Sequence, residues 1–192
     1  MEMRHPFRWI LPLSQPRAFI ALLMITLVVM LTLQVLAAPL QTGAAPLGIV
    51  SFELAGSMPV SQSILESWGS GGQLYAGLNL GLDYLFLVAY AGAIGLGCAL
   101  LAQSLSERMR FLSTTGAGLA WAMIAAALLD AMENYALIRV LLGSQQELWP
   151  AVARWCAIPK FLIVAAGFLF LLVGALVVLF LRLGSRDRTV SR

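Results

Sequence analysis

Two carboxylates and an amide stand close together in one apolar stretch of this sequence. Asp130, Glu133 and Asn134 lie within a run from about residue 116 to 142, which is long enough to cross a bilayer. Because spacings of three and four residues repeat every helical turn, these side chains are expected on one face of a helix. Ionisable groups inside a membrane span suggest a functional site by default. Paired carboxylates could serve acid–base chemistry or bind a hard cation.

The composition indicates that the chain is an integral membrane protein. It has 192 residues, of which 60% are hydrophobic and 11% are charged, and its mean hydropathy is +0.89. These values are too apolar for a soluble domain of this size. The windows that exceed the roughly 18 apolar residues of a spanning helix are about 18–38, 81–105, 116–142 and 158–181. We therefore predict an all-α fold, with residues 1–192 forming a single four-transmembrane-helix bundle.

The connection between the first two predicted spans, about residues 39–72, contains no Lys or Arg. Val50–Leu54 alternates apolar and polar residues, which favours a short extended piece. Ser57 and Pro59 suit the first turn of a short amphipathic helix, and Gly69 is expected to end it. The next helix is expected to begin near Gln73. The connection is thus predicted to form a short helical and extended cap on the extracytoplasmic side.

The positive charges predict the orientation of the spans. Nine of the 12 Lys and Arg residues lie before the first span, between the second and third, or after the fourth: Arg4, Arg8, Arg17, Arg108, Arg110, Arg182, Arg186, Arg188 and Arg192. Short loops rich in cations stay in the cytoplasm, so both termini are predicted to be cytoplasmic, as in a multi-pass protein of the bacterial inner membrane. The cations form no basic stripe interleaved with aromatic residues, so nucleic acid is not expected as a partner.

The antiparallel order of the spans places further polar residues at the depth of the acidic pair. The candidate residues for binding a ligand or partner are Glu53, Asp83, Tyr90, Asp130, Glu133, Asn134, Arg154 and Lys160. A carboxylate at a helix centre costs about 2.5–3.5 kcal/mol on insertion scales, so pairing with a cation is expected. The plainest interpretation is a structural network in which Lys160 or Arg154 neutralises the acids of the third span.

Three functional interpretations stay open beside that network. The favoured one is a non-catalytic binding or accessory subunit of a membrane assembly, which holds a lipid, a pigment or quinone, or another membrane protein. The first alternative is a membrane-embedded enzyme, or a metal or lipid-headgroup site, that uses paired carboxylates. The second is a small ion or proton carrier, although the sequence shows no inverted repeat. The sequence identifies no cofactor, catalytic residue or metal ligand, and the only histidine is His5 in the N-terminal tail.

Small residues and cysteines add two structural expectations. Pairs at four-residue spacing in the second span, such as Gly77 with Gly81 and Ala91 with Gly95, favour close helix packing. Cys98 and Cys156 are expected at opposite depths of the membrane. Because a disulfide needs Cα atoms within about 7 Å, both are predicted to be free thiols.

Three segments of the chain carry a resemblance to other proteins. Ala44–Ala55, Leu82–Leu87 and Asp130–Asn134 together resemble small four-helix membrane proteins of bacteria that are themselves uncharacterised. The likeness covers most of the chain from Ala44 onward. It implies the four-helix fold and brings no activity, cofactor or partner with it.

Overall fold

The computed structural model describes residues 5–105 and 109–190, with side chains described as far as residue 179. These residues form five α-helices: α1 (Gln15–Ala37), α2 (Ile49–Glu53), α3 (Met58–Leu105), α4 (Arg110–Leu141) and α5 (Leu148–Val190). Short 3-10 turns at Pro6–Trp9 and Pro12–Ser14 precede α1, and another at Ala38–Leu40 follows it. No strand occurs over the described ranges, so the predicted all-α fold is confirmed.

Four helices of the described chain, α1, α3, α4 and α5, are long and apolar enough to cross a membrane. The chain is therefore a multi-pass membrane protein. The predicted spans coincide with these helices, but α3 and α5 begin well before the apolar windows. A hydropathy window detects only the part of a helix that is continuously apolar, so it misses polar turns at the ends. Of the cations that predict the orientation, Arg4, Arg108 and Arg192 lie outside the described residues.

Gly69 divides α3 into two helical parts. Its φ of 59° and ψ of −173° are not helical, and residues with a side chain rarely adopt a φ in this region. The prediction that a short helix ends at Gly69 is therefore confirmed. The expected start of the next helix near Gln73 is wrong, because the chain is helical again directly after Gly69.

The cap differs from its prediction in one segment. The alternation over Val50–Leu54 predicts an extended segment, but the structure has the helix α2 at Ile49–Glu53. Five residues are too few for a period of two to be told from a helical period, and packing decides the outcome. Phe52 at the centre of α2 is fully buried and meets the Trp68 ring edge-on, with 5.3 Å between ring centroids. Trp68 Nε1 in turn donates to the Leu40 carbonyl at 2.7 Å.

The helix α3 is central, because it packs against α1, α4 and α5, and α4 also packs against α5. Small residues allow the close approaches. A Cβ at Gly116 of α4 would lie 2.9 Å from the Cys98 carbonyl oxygen on α3, and one at Gly95 would lie 3.3 Å from Met123 Cβ. A Cβ at Gly81 would meet nothing within 4 Å. The small residues of α3 thus serve helix packing at Gly95 and not at Gly81.

Both cysteines, Cys98 and Cys156, are buried and free, as predicted. The N-terminal tail folds onto the bundle at the end opposite the cap. A Cβ at Gly95 would lie 3.1 Å from the Phe7 ring, and His5 Nε2 lies 3.1 Å from the Gln103 amide nitrogen.

Candidate functional site

Lys160 of α5 lies among three carboxylates from two other helices. Its Nζ is 2.9 Å from Asp130 Oδ1, 2.8 Å from Glu133 Oε2 and 3.9 Å from Glu53 Oε2. Lys160, Asp130 and Glu133 are only 6%, 3% and 0% exposed, so these charges are withdrawn from solvent. Unpaired, each would cost several kcal/mol at such a place. We call Glu53, Asp130, Glu133 and Lys160 the ion-pair cluster.

Helix geometry explains why the two members from α4 meet the lysine of α5. Asp130 and Glu133 are three residues apart, and therefore they project from one face of α4. Asp130 lies 11 residues before the end of α4 at Leu141, and Lys160 lies 12 residues after the start of α5 at Leu148. At about 1.5 Å per residue, antiparallel neighbours joined by a short turn bring these positions to the same depth.

Glu53 brings the cap into the cluster. It is the last residue of α2, and its side chain is 12% exposed beside Lys160. Burial raises the pKa of Glu53, and the Lys160 charge at 3.9 Å only partly opposes that effect. A carboxyl with a higher pKa in the folded chain than in the unfolded chain binds its proton more tightly when folded. Its contribution to stability is thus present at low pH and is lost as pH rises through the raised pKa.

Two hydrogen bonds tie α3 to the same face of α4. The Tyr90 hydroxyl donates to Asp130 Oδ2 at 2.8 Å, so both oxygens of that carboxylate have a partner. Asn134 Nδ2 donates to Asp83 Oδ2 at 2.6 Å. Asp83 therefore joins the polar face through Asn134 rather than through the lysine.

Seven of the eight candidate residues thus come together, and Arg154 does not. Arg154 lies six residues before Lys160, which places it on a different face of α5. Its exposed side chain lies against Gly56 of the cap, where a Cβ would be 2.7 Å from Arg154 Cδ. Gly56 has a φ of 72°, which also favours glycine there. Of the two candidate counter-charges, Lys160 is the one that meets the acids.

The charges around Lys160 do not balance. Glu53, Asp83, Asp130 and Glu133 supply carboxyl groups for a single ammonium among the described side chains of this region. Glu133 Oε1 is buried without a hydrogen-bond partner, and the contact of its Oε2 with Lys160 is an ion pair poorly aligned for a hydrogen bond. Chemically, the arrangement can hold or exchange protons and can bind positive charge. Over the described residues, no group of three or more His, Cys, Asp or Glu side chains could hold a metal ion.

One polar contact at the cap was not foreseen from the sequence. Glu147, in the turn between α4 and α5, accepts a hydrogen bond from the Met58 backbone N–H at 2.9 Å and so satisfies a free donor at the start of α3. A carboxylate at this end of a helix also suits the helix dipole. The two residues are 89 positions apart. No local sequence signal links them.

Comparison with known protein families, curated proteins and solved structures gives no match to this chain. The resemblance to small bacterial proteins is therefore supported only in its structural part, the four long apolar helices. The function has to be argued from the buried cluster itself.

Proposed function

We propose that this chain is a non-catalytic binding or accessory subunit of a membrane assembly. In this proposal the ion-pair cluster holds the cap and the helices in the arrangement that a partner binds. The single observation that supports this most is that three carboxylates of α2 and α4 lie within 4 Å of the Lys160 ammonium. The charged groups are engaged with one another and buried. They consequently tie the cap to the two helices below it.

The engagement of these groups argues for a scaffold over a catalytic site. A general acid or base has to reach a substrate proton within hydrogen-bond distance. Here Asp130 already accepts from Lys160 and Tyr90. A buried ion-pair network adds little to stability compared with apolar packing, but it can specify one arrangement of the elements that contribute to it. A cap held in one position on the bundle gives a partner protein a binding surface of fixed shape.

We place the protein in the plasma membrane, the inner membrane of a bacterium, with both termini in the cytoplasm and the cap outside. The cation distribution supports this orientation, because Arg8, Arg17 and Arg110 all lie at the end of the bundle away from the cap. A reporter enzyme active only in the cytoplasm, fused after Arg192, should be active. An inactive fusion would reverse the orientation.

The functional test compares Asp130→Asn and Glu133→Gln with the wild-type protein, and it uses Glu66→Gln as the matched control. Glu66 is an exposed carboxylate of α3 at the cap end. Each protein is purified in mild detergent, its melting temperature is measured, and copurified proteins, lipids and pigments are identified by mass spectrometry. We expect the two cluster variants to lose thermal stability and a stoichiometric partner together, while the control keeps both.

A second candidate function, proton binding or acid–base chemistry at the cluster, is favoured by the excess of carboxyl groups and by the unpartnered Glu133 Oε1. The same experiment separates it from the first. An enzyme or proton carrier should stay folded in Glu133→Gln, keep its melting temperature and lose its turnover or proton binding instead. That outcome, with no partner lost, would overturn the accessory role.

A further inference from the structure

An apolar groove lies between α4 and α5, on a face of α4 other than the one that carries Asp130 and Glu133. Its volume is about 600 Å³, within the range of about 300–1,000 Å³ that is usual for ligand pockets. It is lined by Leu128, Ala131, Met132, Tyr135, Trp149 and Val152. The α4 residues in this set recur at three- and four-residue spacing, and Leu128, Met132 and Tyr135 are exposed. The groove thus runs along α4.

A cation stands at the cap end of this groove. The Arg139 guanidinium lies 5.2 Å from the centre of the Trp149 ring, and the Trp149 ring meets Tyr135 edge-on at 5.6 Å. Arg139 follows Tyr135 by four residues and is exposed, so it continues the same face of α4. All ion pairs found in the described part of the chain involve Lys160. Arg139 has no carboxylate to neutralise it there.

The groove and the cation at its cap end together span the depth of one leaflet. Arg139 and Leu128 are 11 residues apart on a continuous helix, which corresponds to about 16 Å. Half of a hydrocarbon core is about 15 Å thick. Arg139 lies two residues before the end of α4 at Leu141, where a membrane helix reaches the headgroup layer. The apolar lining therefore matches the acyl chain of a phospholipid, and the unpaired cation at the cap end matches its phosphate.

We propose that this groove is a binding site for one anionic phospholipid. An acyl chain lies along Leu128, Met132 and Val152, and the phosphate lies against Arg139 above the aromatic pair. Trp149 holds the guanidinium in place through a cation–π contact and leaves its N–H groups free for phosphate oxygens. This site is separate from the ion-pair cluster and does not depend on the function proposed for that cluster.

The test measures which lipid stays bound. The full chain in mild detergent is mixed with equal amounts of phosphatidylglycerol and phosphatidylethanolamine that carry identical acyl chains, and native mass spectrometry counts the bound copies. Wild-type protein should retain one phosphatidylglycerol in preference to phosphatidylethanolamine. Arg139→Gln should lower that preference by about fivefold, the factor expected for one cation near a membrane surface. Arg110→Gln, which removes an exposed cation at the other end of the same helix, should keep it.

A second variant tests the groove itself. Val152→Phe places more side-chain volume in the groove and leaves Arg139 in position, so binding of both lipids should fall. Equal retention of the two lipids by the wild-type protein would overturn the proposal. So would a loss of preference in Arg110→Gln as large as that in Arg139→Gln, because the cation effect would then be nonspecific. Undiminished binding in Val152→Phe would place the lipid elsewhere.

Discussion

Replacement of Lys160 by methionine is the most direct test of the ion-pair cluster. The substitution keeps a long side chain and removes the ammonium that lies within 4 Å of three carboxylates. Loss of one partner from a buried ion pair costs about 3–5 kcal/mol, because the remaining charge is left uncompensated. For a chain of this length, 1 kcal/mol corresponds to a shift of about 2–4 °C in melting temperature. Lys160→Met should therefore melt about 6–20 °C lower than the wild-type protein.

A matched variant separates the loss of charge balance from the loss of packing. In the quadruple variant Lys160→Met, Glu53→Gln, Asp130→Asn, Glu133→Gln, the opposing charges of the cluster are removed together. Replacement of a whole buried ion group is often neutral or stabilising. Most of the lost stability should return. Intrinsic tryptophan fluorescence against temperature, in one detergent and at one protein concentration, gives the comparison. If Lys160→Met melts at the same temperature as the wild-type protein, or the quadruple variant melts no higher than Lys160→Met, the charge argument is refuted.

Two further predictions concern the cap and the helix contacts. Because burial raises the pKa of Glu53, Glu53→Gln should melt above the wild-type protein at neutral and alkaline pH, and the difference should close as pH falls towards the ordinary glutamate pKa. A lower melting temperature at every pH would mean that its ion pair is net stabilising. Gly116→Ala should cost about 1–3 kcal/mol by overpacking against α3, whereas Gly81→Ala, where a Cβ has open space, should cost nothing. Thermal unfolding of the two alanine variants, side by side, checks this contrast.

The spans and the shared face of Asp130 and Glu133 could be predicted because each depends on local sequence. An apolar run long enough for a bilayer specifies a helix, and a three-residue spacing specifies a face. The choice between Lys160 and Arg154 could not be made in the same way. It depends on the rotation of α5 about its axis, which is fixed by packing between helices and is not visible in a single segment.

The cap shows a second limit of sequence reasoning. The alternation over Val50–Leu54 predicts an extended piece, yet α2 is helical and places Glu53 beside Lys160. A segment of five residues has no usable periodicity, and it is ordered by the packing of Phe52 against Trp68, which is 16 positions away. Segments whose conformation depends on such distant contacts are not determined by propensity.

The position of Lys160 late in the chain has a consequence for how the protein is made. It is the only lysine in the sequence, and a ribosome completes it after the three acids that surround it. Until the last helix enters the bilayer, Asp130 and Glu133 lack the lysine that neutralises them, and unpaired charges are costly in hydrocarbon. The first three spanning helices should therefore pass through an insertion intermediate in which the acids of α4 are not neutralised. Nascent chains that stop before residue 160 are expected to be targets for membrane proteases.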